Sequence, residues 1–250
     1  MPDWLVLASQ TDGIGWVAAA AFMAGLVRGF SGFGTAMVFL PVAGQFVPPV
    51  WAVVVLVIMD AFGPLPNLPR AWRDADLPDL RRLLLATFVM LPLGLLVLNV
   101  VSEEVFRSVV GGVALLLLVC LVAGLRYRGT LRASMVYGIG AVGGFLGGAA
   151  GMPGPPIIFF YMASPLGPAT IRGNTMLYLY GFDLMLIGLL ALSGGLVAQA
   201  VGLGLIMAMP LMLGNLLGAA IFRPERERLY RSAAYLIIAV SALSGLPIWG

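Results

Sequence analysis

Ten runs of apolar residues, separated by short polar stretches, make up most of this 250-residue chain. In the first half they span residues 13–27, 35–47, 50–65, 83–101 and 105–125. In the second half they span residues 133–149, 155–164, 170–192, 195–222 and 233–248. The runs are too many and too long to form the buried core of a soluble domain. The pattern therefore predicts an all-α polytopic membrane protein with about five hydrophobic segments in each half.

The second run of each half, residues 35–47 and 155–164, is shorter than the others. A full crossing of the bilayer needs about 20 residues. The first two runs of each half could therefore form two short crossings or one re-entrant hairpin, which gives eight to ten membrane segments. Both options return the chain to the same side of the membrane.

A stretch near the start of the chain returns in its middle. Residues 25–41 read GLVRGFSGFGTAMVFLP and residues 140–156 read GAVGGFLGGAAGMPGPP, with seven identities at an offset of 115. An internal duplication with a Gly/Pro-broken segment in each half is typical of a secondary transporter whose substrate binds where the broken segments meet. We divide the chain into a first half, residues 1–125, a linker, residues 126–132, and a second half, residues 133–250.

Arginine placement predicts the orientation in the membrane. All fourteen basic residues are Arg, and eleven of them fall in three loops, residues 67–82, 126–132 and 223–231. An even number of crossings separates these loops, so all three can face the cytoplasm, as the positive-inside rule asks. Both termini then face outward. Each half has an odd number of runs, so the second half is inserted upside down and the halves form an inverted repeat.

The amino-acid composition limits the kinds of site that the chain can form. The chain is 61% apolar and 10% charged, whereas soluble domains carry roughly 25% charged residues. It has no His and no Lys, and its one cysteine, Cys120, lies in an apolar run. These absences remove Cys/His metal sites, the Walker lysine and Ser–Lys catalysis, and the Asp residues lack a GxGD setting. We expect no enzyme, no cofactor and no metal. The net charge of +3 lies in short loops and does not indicate nucleic-acid binding.

The two glycine-proline segments and the stretch PATIRGNTMLY, which begins at residue 168, resemble the TauE/SafE family of sulfite-exporter-like membrane transporters. The resemblance covers essentially the whole chain, although Phe33 and Thr35 depart from the glycine-richest form of the first segment. It implies transport of a small sulfur-containing anion (sulfite, sulfoacetate or a related organosulfonate) across the cytoplasmic (inner) membrane. The same scaffold could serve another small anion such as a carboxylate, or act as a channel.

The broken segments carry the first group of candidate substrate ligands. Helices are interrupted there because Pro lacks an N–H and Gly is a poor helix former. The N–H groups freed at a half-helix N-terminus favour an anion. The candidates are Arg28, Ser31, Gly32, Gly34, Thr35, Gly148, Gly151, Met152 and Gly154. The glycines expected to serve close helix packing instead are Gly25, Gly29, Gly140 and Gly144.

Two arginines are candidate anion ligands. If the first segments form a hairpin, Arg28 lies deep in the membrane and needs an anionic partner or substrate. Its guanidinium fork would suit a sulfonate. If the first run crosses fully, Arg28 is a cytoplasmic anchor. Arg172 could bind an oxyanion together with Asn174 and Thr175, or could be a positive-inside anchor.

Asp60 and Asp183 are the only acids well inside apolar runs. Each could carry a coupling proton, or pair with Arg28 or Arg172. The expected partners of the chain are the small anion and the lipid bilayer, without nucleic acid. The Gly214–Gly218 spacing and the resemblance also make a homodimer possible.

Overall fold

A computed structural model of the chain describes residues 8–124, 129–161 and 165–248. In order, its helices are α1 (Ile14–Ser31), α2 (Thr35–Ala43), α3 (Pro49–Asp60), α4 (Leu68–Asp74), α5 (Leu77–Val100), α6 (Glu103–Val122), α7 (Ala133–Ala150), α8 (Gly154–Pro156), α9 (Pro168–Leu192), α10 (Ala198–Ile221) and α11 (Glu227–Gly245). A π-helical turn, Ile157–Tyr161, continues α8, and 3₁₀ turns precede α4 (Leu65–Asn67) and α11 (Pro224–Arg226). Over the described ranges the secondary structure is helical without strands, so the all-α prediction is confirmed.

Six of the described helices, α1, α5, α6, α7, α9 and α10, are long and apolar enough to cross a membrane. Their outward side chains are also apolar: Phe88, Leu96, Leu116 and Met209 are 63–68% exposed. A helix that is hydrophobic all round is stable in lipid rather than in water. The chain is therefore a multi-pass membrane protein.

The chain forms two compact units, and each takes helices from both halves of the sequence. The first unit comprises Met1–Met59, Val101–Val119 and Gly194–Gly250, and the second comprises Asp60–Val100 and Cys120–Ser193. In the first unit α1 packs mainly against α10, and α2 packs against α1 and α11. In the second unit α7 packs mainly against α5, and α9 packs against α4 and α5. The two units therefore do not correspond to the two halves of the sequence.

Glycines bring main chains close together in both units. A Cβ atom built on Gly29 of α1 would lie 2.9 Å from the Cα atom of Gly218 on α10. A Cβ atom built on Gly148 of α7 would lie 2.9 Å from the Cα atom of Gly94 on α5. Side chains at these points would force the helices apart. The packing prediction is confirmed, because a Cβ atom would also meet main-chain atoms of the facing helix at Gly25, Gly29, Gly140 and Gly144.

Helices α1 and α7 are equivalent elements of the two units, related by an offset of 119 residues. Both contain 18 residues; α7 begins and ends 119 residues after α1. Each is followed by a glycine with a left-handed backbone, Gly32 (φ 78°) and Gly151 (φ 67°). The offset of 115 that gives the best sequence match is therefore one helical turn away from the structural equivalence.

Most of the basic stretches predicted as loops are helical, which corrects that prediction. The Arg residues in helices are Arg70 and Arg73 in α4, Arg81 and Arg82 in α5, and Arg228 and Arg231 in α11. Helix α5 begins early because the Asp76 carboxylate accepts a hydrogen bond from the N–H of Asp79 (3.0 Å) and caps the helix. In the predicted linker 126–132, Arg126 and Arg128 lie outside the described residues.

Arg107 of α6 binds the C-terminal end of another helix. The guanidinium of Arg107 donates to the main-chain carbonyl groups of Gly245 (2.9 Å) and Leu246 (3.4 Å). These carbonyls end α11, where the helix dipole is negative. Arg107 therefore stabilises the C-terminal end of α11 within the first unit.

Candidate functional site

The first break in the helical structure separates α1 from α2. Gly32 and Gly34 have φ angles of 78° and 101°, a left-handed backbone that residues with a Cβ atom rarely adopt. The N–H of Gly32 donates to the carbonyl of Arg28 (2.8 Å), which closes the last turn of α1. Helix α2 then begins at Thr35. The interruption predicted from the glycines is therefore present.

Arg28 reaches across this break. It lies in the last turn of α1, and its Nη1 atom lies 3.4 Å from Oγ1 of Thr35, the first residue of α2. Thr35 is 7% exposed and Arg28 is half-buried. The first N–H groups of a helix have no acceptor within that helix, and its N-terminus carries a partial positive charge. The positively charged guanidinium of Arg28 therefore lies beside the positive end of α2.

The hydroxyl of Ser31 forms hydrogen bonds with the main chain of the break. Its Oγ atom lies 2.6 Å from the carbonyl oxygen of Val27 and 2.8 Å from that of Phe33. The N–H of Phe33 donates back to it (3.3 Å). A hydroxyl has one proton, so Ser31 donates to one carbonyl at a time. Ser31 thus stabilises the shape of the break, and its proton is not available to an anion while these bonds hold.

The second break separates α7 from α8 in the second unit. The N–H of Gly151 donates to the carbonyl of Gly147 (2.8 Å), and the N–H of the fully buried Met152 donates to that of Leu146 (3.3 Å). Gly154 opens α8, and among the described residues a Cβ atom there would meet only Ile158, at 3.8 Å. This break is therefore also present. Gly148, in contrast, packs against the main chain of α5.

The two breaks differ in charge. At the structural offset of 119, Arg28 corresponds to Gly147, and Thr35 corresponds to Gly154. A side chain at Gly147 would overlap the ring of Phe182. Residues 147–154 contain no ionisable side chain. The positive charge predicted for an anion site is thus confined to the first break.

Arg172, Asn174 and Thr175 lie in the first turns of α9 but in different environments. Arg172 is exposed. Asn174 is fully buried, and its side-chain amide donates to the carbonyl of Asp76 (3.1 Å), just before α5. The Oγ1 atom of Thr175 is buried and has no hydrogen-bond partner among the described residues. Asn174 therefore joins α9 to the start of α5, and Thr175 retains an unused hydroxyl.

The two acids within apolar runs occupy different positions. Asp183 lies in α9 and is 8% exposed, whereas Asp60 is the half-buried last residue of α3. Neither residue is without an interaction partner. Both acids are therefore partly or largely shielded from water, as a coupling or ion-pairing role requires.

The glycines that suggested a homodimer make contacts within the chain. A Cβ atom on Gly214 would lie 2.9 Å from the main-chain nitrogen of Leu26, and one on Gly218 would lie 3.1 Å from the Cα atom of Gly29. Both glycines thus serve the packing of α10 on α1. Their spacing is explained without a second copy of the chain.

One buried polar residue was not anticipated from the sequence. Thr87 of α5 is fully buried, and its hydroxyl donates to the carbonyl of Gly140 on α7 (2.9 Å). A lone Thr in an apolar run has no periodic pattern that would distinguish it. Its position beside the glycine-rich α7 emerges only from the packing.

Comparison with known proteins gives one match. Residues 17–245, nearly the whole chain, match the family described as Sulfite exporter TauE/SafE. No curated protein and no solved structure matches. The matched range runs from α1 to the end of α11 and so includes both breaks.

Proposed function

This chain belongs to the sulfite exporter TauE/SafE family, and on that premise we propose that it is a secondary transporter of a small sulfur-containing anion. The substrate class is sulfite, sulfoacetate or a related organosulfonate. The observation that carries the proposal is the contact between Arg28 and Thr35 across the first break, at 3.4 Å. It brings a guanidinium to the N-terminus of α2.

A sulfite or sulfonate group, with three oxygens on one sulfur, fits the groups at this break. The Arg28 guanidinium would donate two parallel hydrogen bonds to two of its oxygens. The first N–H groups of α2 and the hydroxyl of Thr35 would bind the third oxygen. The anion would in turn interact favourably with the charge of the half-buried Arg28 side chain. Ser31 keeps the left-handed glycines in place around it.

We propose transport by alternating access, because a carrier must open a bound site to each side in turn. Asp183 or Asp60 would carry the coupling proton, or balance the charge of an arginine. Arg172, Asn174 and Thr175 are proposed to contribute from α9. The unused hydroxyl of Thr175 is the strongest donor candidate among these three.

In the cytoplasmic (inner) membrane, the two sequence halves would insert with opposite orientations. The basic stretches 67–82, 126–132 and 223–231 would face the cytoplasm, and both termini would face outward. Replacing the single cysteine (Cys120→Ser) gives a background for labelling. Arg73→Cys and Arg226→Cys should then react only from the cytoplasmic side, and Glu103→Cys only from outside. The reverse accessibility would overturn this orientation.

The anion site is tested by the thermal stability of purified full-length protein with sulfite, sulfate, sulfoacetate, isethionate, taurine, acetate and chloride. A ligand that binds only the folded state adds about 2.7 kcal/mol at 100 times its dissociation constant. We expect stabilisation by sulfite or a sulfonate. Stabilisation by acetate alone would identify a carboxylate transporter instead. In proteoliposomes, flux that does not saturate would indicate a channel.

Three variants locate the site. Arg28→Gln should abolish the anion-dependent shift, and Arg28→Lys should restore part of it, because Lys keeps the charge but not the planar fork. Arg107→Gln removes the same charge from the first unit at a residue that binds only the end of α11 among the described residues, so its shift should persist. Equal shifts in Arg28→Gln and wild type would make Arg28 a membrane anchor.

A further inference from the structure

A groove of about 480 Å³ runs along α5 on the outside of the second unit. Its walls include Leu84, Leu85 and Phe88 of α5 and Met185 of α9. Phe88 is 64% exposed and Leu85 is 46% exposed, so the groove is open over its length. In a membrane protein an open apolar groove of this kind faces acyl chains.

Near the start of α5 the groove is lined by Trp72 of α4 and Arg81 of α5. The lining surface is almost wholly apolar, so Arg81 contributes its apolar stem and its guanidinium lies beside the groove. Trp72 is 59% exposed, and tryptophan prefers the level of the lipid headgroups. The end of the groove thus lies where the charged part of a lipid would lie.

Arg81 carries the charge at this end. Among the residues that the structure describes, no ion pair or hydrogen bond is formed by the exposed Arg81 side chain. The neighbouring Arg82 differs, because its Nη1 atom lies 2.6 Å from the carboxylate of Asp79. Arg70 likewise has Asp74 at 3.8 Å. Arg81 is therefore the arginine in this part of α5 that can receive an outside anion.

We propose that this groove binds one anionic phospholipid, with an acyl chain along Leu84, Leu85 and Phe88. The phosphate accepts hydrogen bonds from the Arg81 guanidinium and the indole N–H of Trp72. The occupant is assigned by complementarity, since an apolar groove that ends in an unneutralised cation matches an apolar tail that ends in an anion. A zwitterionic lipid lacks the net charge that Arg81 selects. The inference is independent of the transported substrate.

Native mass spectrometry of the delipidated full-length protein tests this assignment. Phosphatidylglycerol and phosphatidylcholine with identical acyl chains are titrated separately. We expect one phosphatidylglycerol to bind more tightly than phosphatidylcholine, and Arg81→Gln to weaken that first binding about fivefold. Arg82→Gln, the matched control, removes the same charge one residue away and should leave the affinity unchanged. Arg81→Lys should keep the preference for the anionic lipid.

Three results would overturn the proposal. The first is equal affinity of the wild type for both lipids. The second is an equal loss in Arg81→Gln and Arg82→Gln, which would mean attraction by overall charge alone. The third is a lipid-free dimer that Leu85→Trp dissociates, which would place a second copy of the chain on the groove. If the proposal holds, Leu85→Trp narrows the groove and weakens binding of both lipids in a monomer.

Discussion

The hydroxyl oxygens of Thr87 and Tyr178 lie 3.2 Å apart, and both side chains are fully buried in the second unit. Thr87 has one proton, and it donates this to the carbonyl of Gly140 (2.9 Å). Tyr178 therefore donates to Thr87. The chain of two hydrogen bonds joins α5, α7 and α9, on which these three residues lie.

Thr87→Val should destabilise the protein by about 1 to 2 kcal/mol. Valine has nearly the same shape, but it leaves the buried hydroxyl of Tyr178 and the carbonyl of Gly140 without this partner. Equilibrium unfolding in mixed detergent micelles measures the change. Thr87→Ser keeps the hydroxyl and should recover most of the loss. Thr87→Val as stable as the wild type would contradict a net contribution of these hydrogen bonds.

Gly148→Ala should destabilise the second unit by about 1 to 3 kcal/mol. The new methyl carbon would lie 2.5 Å from the carbonyl oxygen of Leu91, and a main-chain atom within a helix cannot move aside. Gly138 provides the control on the same helix, because a Cβ atom there meets no atom of the residues that the structure describes within 4 Å. Gly138→Ala should be neutral or slightly stabilising. The same unfolding assay compares them, and similar effects of both would contradict the close contact of α7 with α5.

Gly32→Ala isolates the backbone requirement of the first break. A Cβ atom at Gly32 has no neighbour within 4 Å in the described part of the chain, so the expected cost arises from the φ angle of 78°. We expect a loss of about 1 to 2 kcal/mol in thermal unfolding. Gly32→Asn should lose less, since asparagine tolerates this conformation better. If alanine and asparagine both match the wild type, the left-handed turn is not required.

Asp183→Asn should abolish the response of transport to a pH gradient, on the proposed function. Asp183 is the more buried of the two membrane acids, and asparagine cannot release a proton. Exchange of labelled for unlabelled anion needs no net proton movement and should persist. Asp60→Asn is the matched comparison. If a pH gradient drives anion accumulation by the Asp183→Asn variant at the wild-type level, Asp183 is excluded as the coupling group.

Most of the element pattern was predictable because every apolar run forms a helix over at least part of its length. All ten runs contain one of the described helices, counting α8 and its π-helical turn together. The breaks were predictable for the same reason, since glycine and proline mark them directly. Helix starts at basic residues were missed, because α5 depends on a local cap by Asp76 that hydrophobicity does not report.

The register of the repeat was not predictable from identity alone. Glycines recur every four residues at Gly140, Gly144 and Gly148, and four residues are about one helical turn. If the sequence of α7 is shifted by four residues in its alignment with α1, glycines are therefore aligned with glycines again. The main-chain contacts of Gly29 and Gly148 distinguish the two registers, and these exist only in three dimensions.

Two candidate ligands at the first break, Arg28 and Thr35, were predicted together and lie together. Arg28 and Thr35 are seven residues apart, so their contact follows from one local turn. Thr87 and Tyr178 are 91 residues apart, and Arg107 binds a carbonyl 138 residues away. Contacts at that separation depend on which helices pack, and no short motif encodes them.

The composition of the two units also sets an order of assembly during synthesis. Helix α1 ends at Ser31, but its packing partner α10 begins only at Ala198. At roughly 5 to 20 residues per second, the ribosome delivers α10 on the order of 10 s or more after α1. The second unit ends at Ser193 and is complete by then. The glycine face of a newly inserted α1 must therefore wait in lipid or on the insertion machinery, and the unit that starts first is finished last.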